Sequence, residues 1–166
     1  MSKVNELFKV FVYGTLKRGE PNHDWLTKAE NGYARFIANG QTDEKFPLVV
    51  GTRYNIPFLL DKPGVGHNIQ GEIYEVDKSM FGNLDILEDY PNYYDREIQN
   101  ITTTSDGDDK KESVPCWIYL IRKFPAKLLE KEHLTAYHNT PAKPYRESYL
   151  DSDKDDMYED EEAPKL

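Results

Sequence analysis

Two features of this chain could do chemistry. The first is Glu88, a carboxylate on the apolar face of an amphipathic helix. Met80, Phe81, Leu84 and Leu87 share one stripe at ~100° per residue, and Glu88 projects about 20° from Phe81 and about 40° from Leu84. Buried acids are rare unless paired or functional. Desolvation would raise the pKa of Glu88, and a charged Asp85 beside it would push the same way. A carboxyl so raised can take up and return a proton near neutral pH. Two other readings stand beside this one. Near a helix end the phase is loose, so Glu88 could reach solvent, or it could pair with Arg96.

The second feature is the loop Tyr13-Gly14-Thr15-Leu16-Lys17-Arg18-Gly19. It follows Val10 to Tyr13, a short apolar run expected of a strand buried on both faces. Gly14 stops that strand, and Gly19, Pro21 and Asn22 mark the loop's end. Asn22 then fits as the N-cap of a short helix through Trp25, Leu26 and Ala29. A buried strand entering such a loop leaves backbone N–H groups without ladder partners. Clustered on one concave turn, these can bind an anion, with Lys17 and Arg18 adding positive charge beside them. An ordinary strand–loop–helix connection is the alternative. The phosphate-binding pattern G-x-x-x-x-G-K-[ST] is absent.

Other reactive residues read as structural. Glu72 and Glu75 lie on one strand at odd separation, so they face opposite sides, and Glu72 is taken as structural. Cys116 sits in the apolar run Cys116-Trp117-Ile118-Tyr119, the setting of an inert buried thiol. His133 and His138 lack H-E-x-x-H spacing, so no metal site is expected. The twelve tyrosines could supply hydroxyls around a polar cavity, though most read as packing residues with a wet tip; Tyr13, Tyr94 and Tyr119 lie in or beside the sequence blocks taken up below. Asp151, Asp153, Asp155, Glu159 and Glu162 fall on a calcium-loop template, but Asp156 occupies its glycine position and no amphipathic helices flank it.

The elements that must position these groups follow from periodicity. Strands are expected at Tyr33 to Ile37, Phe46 to Val50, Ile56 to Leu60 and Ile69 to Val76. Asp77 then caps a helix carrying Glu88, which the Pro91-Asn92 pair ends. Strands follow at Tyr94 to Thr103 and Val114 to Ile121, joined by a loop containing Asp106-Gly107. Lys127 to Leu134 suggests a further helix. Strands interrupted by two helices, without strict alternation, predict an α+β fold with a mixed, strongly curled sheet.

At 166 residues the chain suits one domain, residues 1–150, followed by a tail at 151–166. The net charge of −9 is concentrated in that tail, whose eight acids and two lysines carry −6. The tail is expected to be disordered and could contact a protein partner. The remaining −3 argues against nucleic acid as a main partner. No apolar run approaches the ~20 residues that span a bilayer. One cysteine and no leader-like apolar stretch point to the cytosol.

Tyr13-Gly14-Thr15-Leu16 after a buried strand resembles the signature of the γ-glutamylcyclotransferase superfamily. Val10 to Gly19 with Pro21-Asn22-His23 looks like its γ-glutamylamine branch; other branches usually carry Tyr-Gly-Ser. Three further blocks agree in order: Asn55 to Leu60, Gly71 to Val76, and Leu84 to Glu88 leading to Tyr94-Asp95-Arg96. The resemblance implies a small barrel-like sheet flanked by a few short helices, with a cavity at the first strand's end. It implies that Glu88 is the catalytic acid/base and that Tyr13, Gly14, Thr15 and Leu16 bind the substrate. The substrate would be a small γ-glutamylamine, cyclised to 5-oxoproline without a cofactor or metal. A γ-glutamyl amino acid cyclotransferase and a non-catalytic binding module of the same fold are the alternatives.

Overall fold

The computed structural model describes residues 6–52, 54–104 and 111–145. Five strands close a barrel in the order β1-β5-β2-β6-β7: β1 (Leu7–Val12), β2 (Ala34–Phe46), β5 (His67–Asp77), β6 (Asp95–Thr103) and β7 (Ser113–Leu120). Neighbours run antiparallel except β1 and β7, whose parallel contact at Val10 and Trp117 closes the ring. Strands β3 (Leu48–Gly51) and β4 (Ile56–Leu59) form a separate antiparallel pair. A parallel bridge from Leu60 to Ile121 ties that pair to the barrel's end. The mixed, curled α+β sheet expected from the sequence is the architecture observed.

The apolar run of β1 follows from two cores. Val10 and Val12 pack in one cluster with Met80, Phe81 and Leu84 of helix α2 (Lys78–Leu87). Phe11 and Tyr13 face the other cluster, with Ile73, Ile101 and Ile118. With both faces covered, alternation has no polar side to show. Cys116 belongs to the second cluster, is fully buried, and has its thiol pushed up to about 12 by burial. Cys116→Ala should therefore retain turnover and lose roughly 1 kcal/mol of stability. Complete inactivation with an unchanged melting transition would instead assign the thiol to the chemistry.

Three elements differ from the sequence reading. Strand β2 runs thirteen residues, Ala34–Phe46, beyond the expected Tyr33 to Ile37. Register shifts at Phe36/Ala38 and Gln41/Lys45 break its two-residue period, so its polar half looks like loop. Helix α1 is only Asp24–Thr27, and His23, not Asn22, precedes it, without a side-chain cap. In place of the Lys127 to Leu134 helix there is a 3-10 turn, Ala126–Glu130. The chain then extends so that the Leu134 N–H can reach the Leu48 carbonyl at 2.8 Å.

No helix among the described residues is long and apolar enough to cross a membrane. The acidic tail, its calcium template and the Asp106-Gly107 turn lie outside the described residues.

Candidate active site

Helix α2 starts as the sequence indicates, with Asp77 Oδ1 accepting the Met80 N–H at 2.9 Å. It stops earlier than Pro91-Asn92 would stop it. Asp89 takes the left-handed conformation (φ +54°) and donates its N–H to Ile86 O at 3.1 Å, while Tyr90 N–H reaches Asp85 O at 2.9 Å. This pair of bonds closes the helix around Glu88 as its C-cap, with Asp89 where glycine usually sits. The cap fixes the helix end, so Glu88 keeps its place on the apolar side and lines a cavity.

That cavity encloses about 100 Å³ at the end of β1. Its wall contains Tyr13, Gly14, Thr15 and Leu16 from the loop, Glu88 from the C-cap of α2, Tyr94 from just before β6 and Tyr119 from β7. The structure thus brings together every residue singled out for catalysis or binding, and the three tyrosines noted beside them. Their hydroxyls are spent: Tyr13 donates to Tyr119 O at 2.7 Å, Tyr94 to Pro57 O at 2.8 Å, and Tyr119 to Asp85 Oδ1 at 2.6 Å. Burial, above all, raises the pKa of all three, so they stand as neutral phenols.

Burial is also the first cause acting on Glu88, and the charge of Asp85 the second; together they push its carboxyl up to about 8. Among the described residues, no side chain or N–H donates a hydrogen bond to the Glu88 carboxyl. Arg96 does not pair with it. Its guanidinium forks onto Asp85, Nε to Oδ1 at 2.9 Å and Nη2 to Oδ2 at 3.1 Å, over the rings of Phe81, Tyr90 and Trp117. Asp85 is therefore fixed in place by Arg96 and Tyr119, from where its charge acts on Glu88.

The loop supplies the complementary half. Among the described residues, no hydrogen bond uses the N–H of Gly14, Thr15 or Leu16, and all three residues line the cavity. These are free donors for an anion or a developing oxyanion. The expected positive charge beside them is absent from the wall. Lys17 is buried and gives its ammonium to Tyr137 O at 2.6 Å, and burial lowers its pKa. Arg18 turns to Glu72 and lies over the Phe36 ring at 4.0 Å. Glu72 accepts the Arg18 N–H at 3.0 Å and the Tyr74 hydroxyl at 3.0 Å, so it anchors the loop from outside the cavity. No group of three or more His, Cys, Asp or Glu side chains suited to a metal occurs among the described residues.

Sequence reasoning missed two parts of the wall. Pro57 approaches so closely that a Cβ on Gly14 would lie 3.0 Å from its Cγ. Any side chain at Gly14 would therefore press on Pro57, and glycine lets the loop backbone pass close to it. Tyr145 also lines the cavity, from the chain beyond the last strand, where no periodicity pointed to it.

Comparison with known proteins identifies the family and the fold. Residues 10–140 match the family "Gamma-glutamyl cyclotransferase, AIG2-like". A Drosophila melanogaster protein, CG2811, provisionally named a gamma-glutamylcyclotransferase, is 63% identical over 145 residues, covering 87% of this chain and 89% of the relative. Human gamma-glutamylaminecyclotransferase is 40% identical over 134 residues, 77% of this chain and 88% of that protein. The crystal structure of a mouse AIG2-like protein superposes with a TM-score of 0.78 at 39% identity, covering 84% of this chain and 95% of that one.

Proposed function

We propose, from the premise that this chain belongs to the AIG2-like gamma-glutamyl cyclotransferase family, that it cyclises γ-glutamylamines to 5-oxoproline and free amine. The observation that carries this reading is a carboxyl of raised pKa sharing one cavity with three unclaimed backbone N–H groups. A γ-glutamylamine carries its own nucleophile. Its α-amine attacks the δ-carbonyl carbon, a C–N bond closes the five-membered lactam, and the C–N bond to the departing amine breaks. Holding the substrate folded supplies much of the rate through orientation.

Two tasks remain for the protein. Glu88, as carboxylate, takes a proton from the α-ammonium and, as acid, delivers it to the departing nitrogen. The N–H groups of Gly14, Thr15 and Leu16 hold the α-carboxylate and the oxyanion of the tetrahedral intermediate. Tyr13 helps to hold this wall in place by its bond to Tyr119. Within the family, amine selectivity is supported by Thr15 in the Tyr-Gly-Thr-Leu motif and by the name of the human relative. An ε-(γ-glutamyl)lysine isopeptide is a fitting substrate, and the single cysteine suits a cytosolic setting.

The test is a 5-oxoproline assay on ε-(γ-glutamyl)lysine, γ-glutamyl-alanine and glutathione side by side. The isopeptide should be turned over at least tenfold faster by kcat/KM. Preference for γ-glutamyl-alanine would move the protein to the amino-acid branch, and no product from any would leave a binding module.

Asp85→Asn checks the electrostatics separately. The acid limb of the kcat/KM profile should move down in pH, because one of the two causes raising Glu88 is removed. It should remain above the ordinary glutamate range, because burial is the larger cause. A limb that does not move would remove Asp85 from the tuning of this carboxyl.

A further inference from the structure

The cavity wall is completed by Tyr145, in a segment that runs from Tyr137 past residue 140, where the family match ends. This segment is not loosely laid on the surface. Lys17 Nζ donates to Tyr137 O at 2.6 Å, Asn139 N–H to Glu20 Oε1 at 2.9 Å, and Asn55 Nδ2 to Pro144 O at 2.8 Å. Tyr145 N–H then donates to Asn139 Oδ1 at 2.8 Å, folding the segment back on itself. Two of these holds, from Lys17 and Glu20, come from side chains that follow the loop of unclaimed N–H groups, and Asn22 adds a third. Its amide is buried and forks, at 2.9 Å to Thr15 Oγ1 and at 3.1 Å to the Tyr145 hydroxyl. One amide therefore sets a residue of the substrate loop and Tyr145 in fixed relation.

Burial sorts the cavity into a floor and a mouth. Tyr13, Leu16, Tyr94 and Tyr119 are buried and form the floor. Thr15, Asp89, Tyr93 and Tyr145 are partly exposed and form the mouth, and Glu88, also partly exposed, stands where floor and mouth meet. The γ-glutamyl group, common to every substrate of the reaction proposed above, belongs at the floor beside Glu88. The departing amine must then lie at the mouth. We infer that Tyr145 is a specificity-determining residue whose ring, oriented by Asn22, packs along the departing amine of the substrate. An aromatic side chain with its hydroxyl fixed offers a rigid apolar face to a methylene chain at little entropic cost. The chemical class it favours is a γ-glutamyl conjugate of an extended alkylamine, as in a lysine side chain.

This inference rests on the proposed cyclotransferase reading, and one experiment separates the two. Release of 5-oxoproline is measured from ε-(γ-glutamyl)lysine and from γ-glutamyl-methylamide, for the wild type, Tyr145→Ala and Tyr145→Phe. The methylamide shares the glutamyl group and lacks the methylene chain. The isopeptide-to-methylamide ratio of kcat/KM should fall about tenfold in Tyr145→Ala, carried by KM on the isopeptide. Tyr145→Phe, which keeps the ring, should retain most of the ratio. An unchanged ratio in Tyr145→Ala, whether or not both rates drop, would overturn the inference and leave Tyr145 a packing residue. A wild type that yields no 5-oxoproline from either compound would overturn the reading beneath it.

Discussion

Glu88→Gln should lower kcat by ~100-fold or more, the usual scale for a positioned proton-transfer group. Glutamine keeps the size of the side chain and loses the exchangeable proton. KM should change little, because the donors of Gly14, Thr15 and Leu16 are untouched. Stability should respond in the opposite sense to activity, in a defined pH window. The folded carboxyl is raised from 4.5 to about 8, so the folded chain holds a proton that the unfolded chain has released. The stability associated with this proton is fully present below the unfolded pKa and is lost as pH rises through the folded one. Between about 4.5 and 8 the wild type should therefore lose stability that Glu88→Gln retains, on the order of a few kcal/mol at most. Denaturant melts of both proteins at pH 5 and pH 9 measure the difference. A variant retaining more than about a tenth of wild-type turnover would exclude Glu88 as the proton carrier.

Gly14→Val is the second substitution with a large expected effect. Its Cβ would stand 3.0 Å from Pro57 Cγ, and the two further methyls would press on Pro57 or enter the cavity itself. Pro57 cannot retreat freely, because it lies in β4 and its carbonyl accepts the Tyr94 hydroxyl. The loop should yield instead, displacing the N–H groups of Thr15 and Leu16 from the cavity. We expect kcat/KM to fall ~100-fold, with a stability loss of roughly 1–3 kcal/mol from overpacking. Gly14→Ala meets the same contact with one atom and should lie between the two. Unaltered kcat/KM in Gly14→Val would remove this loop from the active site.

Much of the site was legible because its residues violate a local rule. Glu88 stood out as an acid in an apolar stripe, and Gly14 as a stop in a buried strand. What the sequence could not show is where competing bonds go. Lys17 and Arg18 looked like charges for the loop's ligand, yet Tyr137 O and Glu72 hold them elsewhere. Asn22 looked like a helix cap, yet its amide joins Thr15 to Tyr145, a contact across 123 positions. Strand β2 was half hidden because two bulges shift its phase, and the helix end was misplaced because Asp89 supplies a left-handed cap usually signalled by glycine. Local patterns report the period of an element; they do not report a tertiary partner that outbids a local one.

The most direct measurement is the titration of Glu88 itself, followed by carbon NMR of side-chain-labelled glutamate alongside the pH profile of kcat/KM. The carboxyl resonance absent from Glu88→Gln should titrate near 8. The wild-type rate on ε-(γ-glutamyl)lysine should rise through the same pH, and that limb should vanish in the variant. A Glu88 resonance titrating in the ordinary range, or a rate limb that survives the substitution, would contradict the account.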